Sequence, residues 1–252
     1  MRTIALLNQK GGVGKTTVTA NLGAGLQRAG RKVLLVDLDP QAHLTRGLGL
    51  VPEELAVTVY DVLQGTAQAR DAFVELKGLT LLPSSLALSG ADLTLSGVAG
   101  RELLLRDALA HVRGFDYVLL DCPPSLGVLA LNALTAAREV VIVTEPEFYA
   151  LAGIADLVGH TVETVKKRLN PRLTISGVVV NRYNPRRKLA REVVEKLRAH
   201  FGDRLFSTLV RNNAAIPEAP SHGKTIFEYR PGSYGAEDFE ALTKEVNRGS
   251  KQ

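Results

Sequence analysis

Short runs of apolar residues alternate along the chain with longer stretches in which apolar residues recur every three or four positions. Several runs are apolar without interruption, as over residues 33–36 and 140–143. Such runs are typical of parallel strands that are covered by helices on both faces. The pattern predicts seven strands, over residues 3–8, 32–37, 79–83, 117–121, 140–144, 175–181 and 205–210.

Helical spacing occurs between these runs. Leu22 and Leu26 are four residues apart after the first strand, and apolar residues repeat at the same interval over 189–201. Strands that alternate with helices predict an α/β fold, a doubly wound, mostly parallel sheet flanked by helices. Serine and glycine over 84–100 indicate a loop or short helix, not a boundary. We therefore expect one domain over 1–252, with residues 249–252 frayed at its end.

Composition places the chain among ordinary globular proteins, with 45% apolar and 23% charged residues. No run reaches the roughly 18 apolar residues that a membrane helix needs. The N-terminus shows no targeting pattern. The single cysteine, Cys122, excludes an internal disulfide and a multi-cysteine metal site. These features predict a cytoplasmic protein that does not bind membranes.

The net charge of +5 is unevenly distributed. Residues 166–211 contain 13 Lys and Arg against 3 Asp and Glu, a net charge of +10, and the rest of the chain carries −5. Such asymmetry indicates either a polyanion-binding surface or a solvated basic helix.

A glycine-rich segment over residues 9–17, QKGGVGKTT, lies between the first strand and the first helix. Its glycines allow backbone N–H groups to turn toward a polyphosphate, and the helix N-terminus adds partial positive charge. Lys15 is placed to reach the β- and γ-phosphates, and the Thr16 hydroxyl to bind Mg²⁺. The general pattern G-x-x-x-x-G-K-[ST] has glycine where this chain has Gln9.

This departure, with Lys10 before two glycines, resembles the deviant Walker A motif of the ParA, MinD and nitrogenase iron-protein superfamily of P-loop NTPases. The resemblance implies an ATP-dependent homodimer in which two ATP molecules are sandwiched between subunits. Lys10 would then cross to the partner's nucleotide and stabilise developing charge, as an arginine finger does. It also implies that the loop residues Lys10, Gly11, Gly12, Val13, Gly14, Lys15, Thr16 and Thr17 bind ATP.

Two predicted strands end in aspartates, where the ligands of parallel α/β sheets bind. The first is followed by the sequence DLDPQ over 37–41, which resembles the switch segment of the same superfamily. By this resemblance Asp39 would position or activate the attacking water, and Asp37 would support the Mg²⁺ shell or the loop. Asp121 ends the other strand in a Walker B pattern and would hold Mg²⁺.

The nucleotide base is predicted to be adenine, because the chain lacks the N-K-x-D pattern with which P-loop GTPases recognise guanine. By resemblance Asn181 and the segment that contains Arg211, Asn212 and Pro217 would flank the adenine. Glu147 would approach the ribose or the dimer seam.

The resemblance covers essentially the whole chain and is greatest to short, chromosomal-type ParA proteins, the Soj branch. One cysteine excludes an iron protein, and residues 239–248 have too few bulky apolar residues to form the membrane helix of MinD. No helix-turn-helix segment precedes the phosphate loop, so operator binding is not expected. A MinD-like positioning ATPase and a metabolic P-loop enzyme with a small-molecule acceptor remain alternatives.

A basic amphipathic helix is predicted to begin near Pro185. In the Soj branch an arginine at the position of Arg186 belongs to the DNA-binding surface. The implied contacts with duplex phosphates, without base readout, come from Arg182, Arg186, Arg187, Lys188 and Arg191. The function implied is a DNA-segregation ATPase with weak intrinsic activity, whose hydrolysis a ParB-type centromere-binding protein stimulates. We would then expect association with the nucleoid.

Overall fold

The structure is a computed structural model and describes residues 1–249. Residues 250–252, part of the segment expected to fray, lie outside the described residues. The strands are β1 (Arg2–Leu7), β2 (Val33–Asp37), β3 (Val74–Leu76), β4 (Leu79–Leu82), β5 (Tyr117–Asp121), β6 (Glu139–Thr144), β7 (Thr174–Tyr183) and β8 (Leu205–Arg211).

Twelve α-helices are found within the same residues. They are α1 (Lys15–Arg28), α2 (His43–Gly47), α3 (Val59–Gln64), α4 (Ala91–Thr94), α5 (Leu104–Leu109), α6 (Val128–Ala136), α7 (Ala150–Asp156), α8 (Glu163–Arg168), α9 (Lys188–Phe201), α10 (Ala215–Glu218), α11 (Ile226–Tyr229) and α12 (Tyr234–Arg248). A π-helical segment, Leu157–Val162, joins α7 to α8. None of these helices is long and apolar enough to cross a membrane.

The eight strands form one sheet in the order β3-β4-β2-β5-β1-β6-β7-β8. Every pairing is parallel except that of β3 with β4. This confirms the predicted doubly wound, mostly parallel sheet, and all seven predicted strands occur within two residues of their predicted ends. The sequence pattern missed β3, because a three-residue edge strand exists only through its antiparallel pairing with β4.

The sheet separates two apolar cores, and neighbouring residues of a strand point into different ones. Along β1, Ile4 and Leu6 belong to the core that contains the apolar residues of α1 and α12, whereas Ala5 and Leu7 belong to the core that contains those of α6 and α9. Helix α1 lies very close to α12, since a Cβ added at Gly25 would come within 2.1 Å of Thr243 Oγ1. Both faces are therefore covered, which explains the uninterrupted apolar runs.

Three adjacent strands, β2, β5 and β1, end at the same edge of the sheet. The loops that follow them, over residues 8–14, 38–42 and 122–127, therefore meet there. In open parallel sheets this edge is where ligands bind, near the strand at which the direction of winding reverses.

Candidate nucleotide-binding site

The loop between β1 and α1 has a backbone that requires glycine at two positions. Gly12 and Gly14 have φ angles of 80° and 93°, in the left-handed region. Gly14 also has no room for a side chain, because an added Cβ would lie 2.1 Å from Asn181 Nδ2. Helix α1 begins at the next residue, so its N-terminal N–H groups face the mouth of the loop. This geometry is suited to an anion.

Two buried asparagines fix the loop to the strands beneath it. Asn8 Nδ2 donates to Val143 O (2.7 Å), and Asn8 Oδ1 accepts from Lys10 N (2.9 Å). Asn181 Nδ2 donates to Val13 O (2.9 Å). Asn181 thus holds the loop, and its predicted contact with the base stays a prediction. Sequence reasoning missed Asn8, whose only signal was a polar residue at the end of an apolar strand.

Lys15 is the first residue of α1, and its side chain is only 6% exposed. Its Nζ lies 3.5 Å from Lys10 O, so the ammonium is turned back under the loop. Burial lowers the pKa of this ammonium, and the negative charge of Asp121 opposes the shift. A poorly hydrated cation in this position gains most from an anionic ligand.

Asp37 and Asp121 lie opposite each other on the adjacent strands β2 and β5, and both are fully buried. Asp37 Oδ1 accepts from Asp39 N (3.1 Å), and Oδ2 accepts from Thr45 N and Thr45 Oγ1 at 2.9 and 2.7 Å. Asp37 therefore holds the loop that follows it. Its direct contact with Mg²⁺ stays a prediction.

Unlike Asp37, Asp121 does not have hydrogen bonds to both of its carboxylate oxygens. Its Oδ1 lies 3.3 Å from Thr19 Oγ1, whereas Oδ2 is the one buried side-chain oxygen or nitrogen in residues 1–249 without a hydrogen-bond partner. Those residues contain no group of three or more His, Cys, Asp and Glu that could hold a metal ion. One free carboxylate oxygen, near the Thr16 hydroxyl at the loop, suits Mg²⁺ that takes its other ligands from phosphates and water.

Burial is the main cause of high pKa values in this carboxylate pair. It raises the pKa of Asp37 to about 6. It also raises the pKa of Asp121 well above the ordinary range, and the neighbouring Asp37 charge adds to this. The folded protein holds the Asp37 proton more tightly than the unfolded chain does. Asp37 therefore opposes folding increasingly as the pH rises from about 4 to about 6.

Asp39 lies on the loop after β2 and is only partly buried. Its carbonyl accepts from Ser84 Oγ (2.7 Å), and its Oδ1 accepts from Gln41 N (2.9 Å). The loop turns at Ala42, whose φ of 52° is rare for a residue with a side chain. The backbone of Asp39 is thus fixed while its carboxylate faces solvent at the site.

These groups surround an open cleft of about 790 Å³. The cleft is lined by the glycines of the loop, Lys15, Thr16 and Thr17 on one side, and by Asp39, Arg182 and Pro217 on others. Its volume lies in the range of small-molecule and cofactor sites. The arrangement can hold a polyphosphate at the loop, a divalent cation at Asp121 and water beside Asp39.

Comparison with known proteins gives the same assignment as the geometry. A sequence-family profile described as "AAA domain" matches residues 1–175. The chain is 44% identical over 251 residues to "Chromosome partitioning protein ParA" of Caulobacter vibrioides, which covers 98% of the chain and 94% of that protein. It is 48% identical over 247 residues to "Chromosome-partitioning ATPase Soj" of Thermus thermophilus, at 98% and 95% coverage. The chain belongs to the ParA family.

Solved structures agree on the fold. A Mycobacterium smegmatis protein described as cobyrinic acid a,c-diamide synthase, with bound ADP and magnesium, matches with a TM-score of 0.88 and 37% identity over 100% of the chain and 96% of its own. The septum site-determining protein MinD of Pyrococcus horikoshii, complexed with Mg-ADP, matches with a TM-score of 0.78 and 30% identity over 99% and 97%. The predicted family and fold are both confirmed.

Lys10, the lysine predicted to reach a partner's nucleotide, precedes Gly11 at the rim of the cleft. Its Nζ forms an ion pair with Glu147 of the same chain, and both side chains are about half exposed. The hydrogen bond from Lys10 lowers the pKa of Glu147. Lys10 therefore points out of its own site, and its role in a partner's site stays a prediction.

The residues predicted to flank adenine are placed differently from one another. Pro217 lines the cleft. Arg211 points away, because its Nη2 donates to Asp238 Oδ1 (2.6 Å) on α12. Asn212 N donates to Tyr183 O (2.9 Å). Contacts of Arg211 and Asn212 with nucleotide stay predictions.

The basic residues of the +10 segment do not form one surface. Lys166, Lys167 and Arg168 end α8, before the start of β7, whereas Arg186 follows its end. A ten-residue strand separates them by about 30 Å. Among the five residues predicted to bind DNA, Arg182 lines the nucleotide cleft and pairs with Glu145 (2.8 Å). The other four, Arg186, Arg187, Lys188 and Arg191, surround the N-terminus of α9.

Thr45→Val is expected to lower the free energy of unfolding by about 2–3 kcal/mol, because two buried groups lose a partner. Thr45 Oγ1 donates to Asp37 and accepts from Ser84 N at 3.0 Å. Urea denaturation measures the change. Thr94→Val, at an exposed hydroxyl, is the matched control and should change stability by less than about 0.5 kcal/mol. Equal effects of both substitutions would contradict a structural role for Thr45.

Proposed function

We propose that this chain is an ATP hydrolase that acts in DNA segregation, as a single domain with ATP and Mg²⁺ bound in the cleft. The observation that carries the proposal is the combination of the glycine loop with an unpartnered buried carboxylate oxygen at Asp121. It occurs in a chain that is 44–48% identical, over nearly its whole length, to proteins named as chromosome-partitioning ParA and Soj.

Each residue of the cleft has a separate task. The N–H groups of residues 11–16 surround the phosphates, and the Lys15 ammonium neutralises the β- and γ-phosphates. Thr16 and Asp121 would hold Mg²⁺, which would supply charge neutralisation at the phosphate oxygens. Asp39 orients the attacking water and accepts its hydrogen bond. Since Asp39 faces open solvent in the single chain, we expect slow hydrolysis without a partner.

A second copy of the chain completes the site. Lys10 lies at the rim, half exposed, and is held by an exposed ion pair that stabilises the fold by no more than about 1 kcal/mol. It can therefore leave Glu147 and reach a partner's phosphates. Beside Glu147, Phe148 and Tyr149 are 71% and 78% exposed, unusually high for aromatic side chains. An ATP-dependent dimer would cover them.

Duplex DNA is the proposed polyanion, bound without sequence preference. Arg186, Arg187, Lys188 and Arg191 cluster around the N-terminus of α9, which has no acidic residue in its first turn. Cations at this end interact unfavourably with the helix dipole, by about 0.3–1 kcal/mol each, so they do not stabilise the helix. Together with the helix N-terminus they form a surface for phosphates. The proposed DNA surface lies at the same edge of the sheet as the nucleotide cleft.

The proposed cycle couples these sites. ATP favours the dimer, the dimer binds DNA through two basic surfaces, and hydrolysis separates the subunits and releases it. Two surfaces on one rigid body bind far more tightly than one, so DNA binding follows the dimer. A ParB-type centromere-binding protein would stimulate hydrolysis, and the chain would associate with the nucleoid. The direct test is ATP-dependent, salt-sensitive binding to arbitrary duplex DNA.

A membrane-positioning role like that of MinD is less well supported. The apolar residues of α12, Phe239, Leu242 and Val246, are buried against the rest of the fold, so this helix has no free apolar face for lipid. Cosedimentation with anionic liposomes in the presence of ATP tests this alternative. A small-molecule acceptor would be indicated if ATP hydrolysis required an added substrate.

Replacing both Arg186 and Arg187 with alanine is expected to weaken DNA binding at moderate salt. The slope of log K against log [salt] should become shallower by about 0.9 for each phosphate contact removed. The loss should be equal on two unrelated duplexes, with ATP binding and dimerisation retained. The matched control replaces Lys166 and Lys167, a basic pair at the opposite end of β7, and should leave the slope unchanged. Loss on one duplex alone would indicate base readout and contradict the proposal.

A further inference from the structure

A second cavity of about 510 Å³ lies between α3 and α5 and shares no lining residue with the nucleotide cleft. We call it the side cavity. Its walls are mainly apolar and include Leu63, Leu95, Val98 and Leu104. A volume of this size with a largely apolar lining is typical of sites for small organic molecules.

Hydrogen bonds and turns within the protein itself fix the walls of the side cavity. Asn132, fully buried in α6, accepts from Leu105 N (2.9 Å) and donates to Arg101 O (2.7 Å), which fixes the start of α5. Gly65 follows the end of α3, and its φ of 76° turns the chain at the cavity wall. The cavity is therefore preformed, and a ligand would not have to open it.

Positive charge lies at the mouth of this cavity. Arg70 lines it, and Arg70 Nη2 donates to the carbonyl oxygen of Arg113 (3.2 Å). Within residues 1–249 the Arg70 guanidinium has no carboxylate at ion-pair distance. The one acidic residue of the lining, Asp107, is paired with Arg106 (2.9 Å).

We propose that the side cavity binds a small amphipathic anion, a carboxylate or sulfonate with an aliphatic or aromatic body. The apolar body packs against Leu63, Leu95 and Leu104 inside the cavity, and the anionic group forms an ion pair with Arg70 at the mouth. A neutral molecule of the same shape would gain the apolar burial but not the charge interaction. An acidic polymer such as DNA would gain the charge but could not enter. The proposal is independent of the ATP-binding cleft.

Octanoate and octanol are suitable probes, because they share an aliphatic body of similar length and differ in charge. Binding to the full chain is followed by methyl chemical shifts of leucine and valine. Octanoate should bind saturably and shift the methyl groups of Leu63, Val98 and Leu104. Arg70→Gln should weaken octanoate binding by about two- to five-fold, since the guanidinium is exposed, and leave octanol unchanged. Arg172→Gln is the matched control for charge and should change neither.

Ala108→Phe tests the location, because Ala108 lies on α5 in the wall and a larger side chain would fill the cavity. It should abolish binding of both probes, whereas Ala199→Phe, at an exposed position of α9, should not. Urea denaturation of each variant verifies that it is folded. Absence of saturable octanoate binding, equal weakening of both probes by Arg70→Gln, or full binding in Ala108→Phe would each overturn the proposal.

Discussion

Lys15→Ala is expected to bind ATP about 100-fold more weakly than the parent chain. A change of this size corresponds to the loss of one strong charge-assisted interaction with the phosphates. The Lys15 ammonium is buried at the start of α1, and within residues 1–249 it has no carboxylate at ion-pair distance. At ATP concentrations that just saturate the parent chain, dimers and DNA binding should be lost with it. Isothermal titration with ATP and Mg²⁺ measures the affinity.

The control for Lys15→Ala is Lys244→Ala, at an exposed lysine on α12 that pairs with Glu240. It should keep the parent affinity. Because removing a buried, poorly hydrated cation does not weaken the fold, urea denaturation should find Lys15→Ala at least as stable as the parent. Near-normal ATP affinity in a folded Lys15→Ala chain would refute the assignment of the cleft.

Asp39→Ala and Lys10→Ala are expected to fail at different steps. Asp39→Ala should bind ATP and dimerise but hydrolyse about 10²- to 10⁴-fold more slowly, because no group orients the water. Dimers would therefore accumulate. Lys10→Ala should bind ATP and remain monomeric, since the contact with the partner's phosphates is lost. Light scattering with ATP, together with phosphate release, separates the two.

Controls for this pair use exposed residues of the same charge. Asp203 and Lys167 precede β8 and β7, at the edge of the sheet opposite the cleft, so Asp203→Ala and Lys167→Ala should behave as the parent in both measurements. If the Asp39 and Lys10 variants stop at the same step, the separate roles given to these residues are wrong.

The parts of the molecule that could be predicted from sequence are those that depend on local order. The loop over residues 9–17 follows from glycine, lysine and threonine in one short segment, and β1, β2, β5 and β6 follow from uninterrupted apolar runs. Asp121 could be placed because it directly ends such a run. In each instance the residues that together form the feature are neighbours in the chain.

The parts that could not be predicted depend on contacts between distant segments. Thr45, which contacts Asp37, also contacts Ser84, 39 residues further along the chain, and Asn8 contacts Val143. Neither threonine nor asparagine has a pattern that signals such a contact. Likewise, β7 divides the basic residues of the +10 segment, residues 166–211, between two opposite edges of the sheet. A count of charges along the sequence cannot reveal this division. The orientation of Arg211 toward Asp238 is of the same kind.

Arg182, which lines the nucleotide cleft, has a φ of 54°, a conformation that glycine adopts without strain. For most other residues this backbone costs about 1 kcal/mol or more. The chain therefore gives up part of its small margin of stability to keep a guanidinium beside the phosphate loop. At this position glycine would give the less strained backbone, and only a residue with a long side chain can bring positive charge to the cleft.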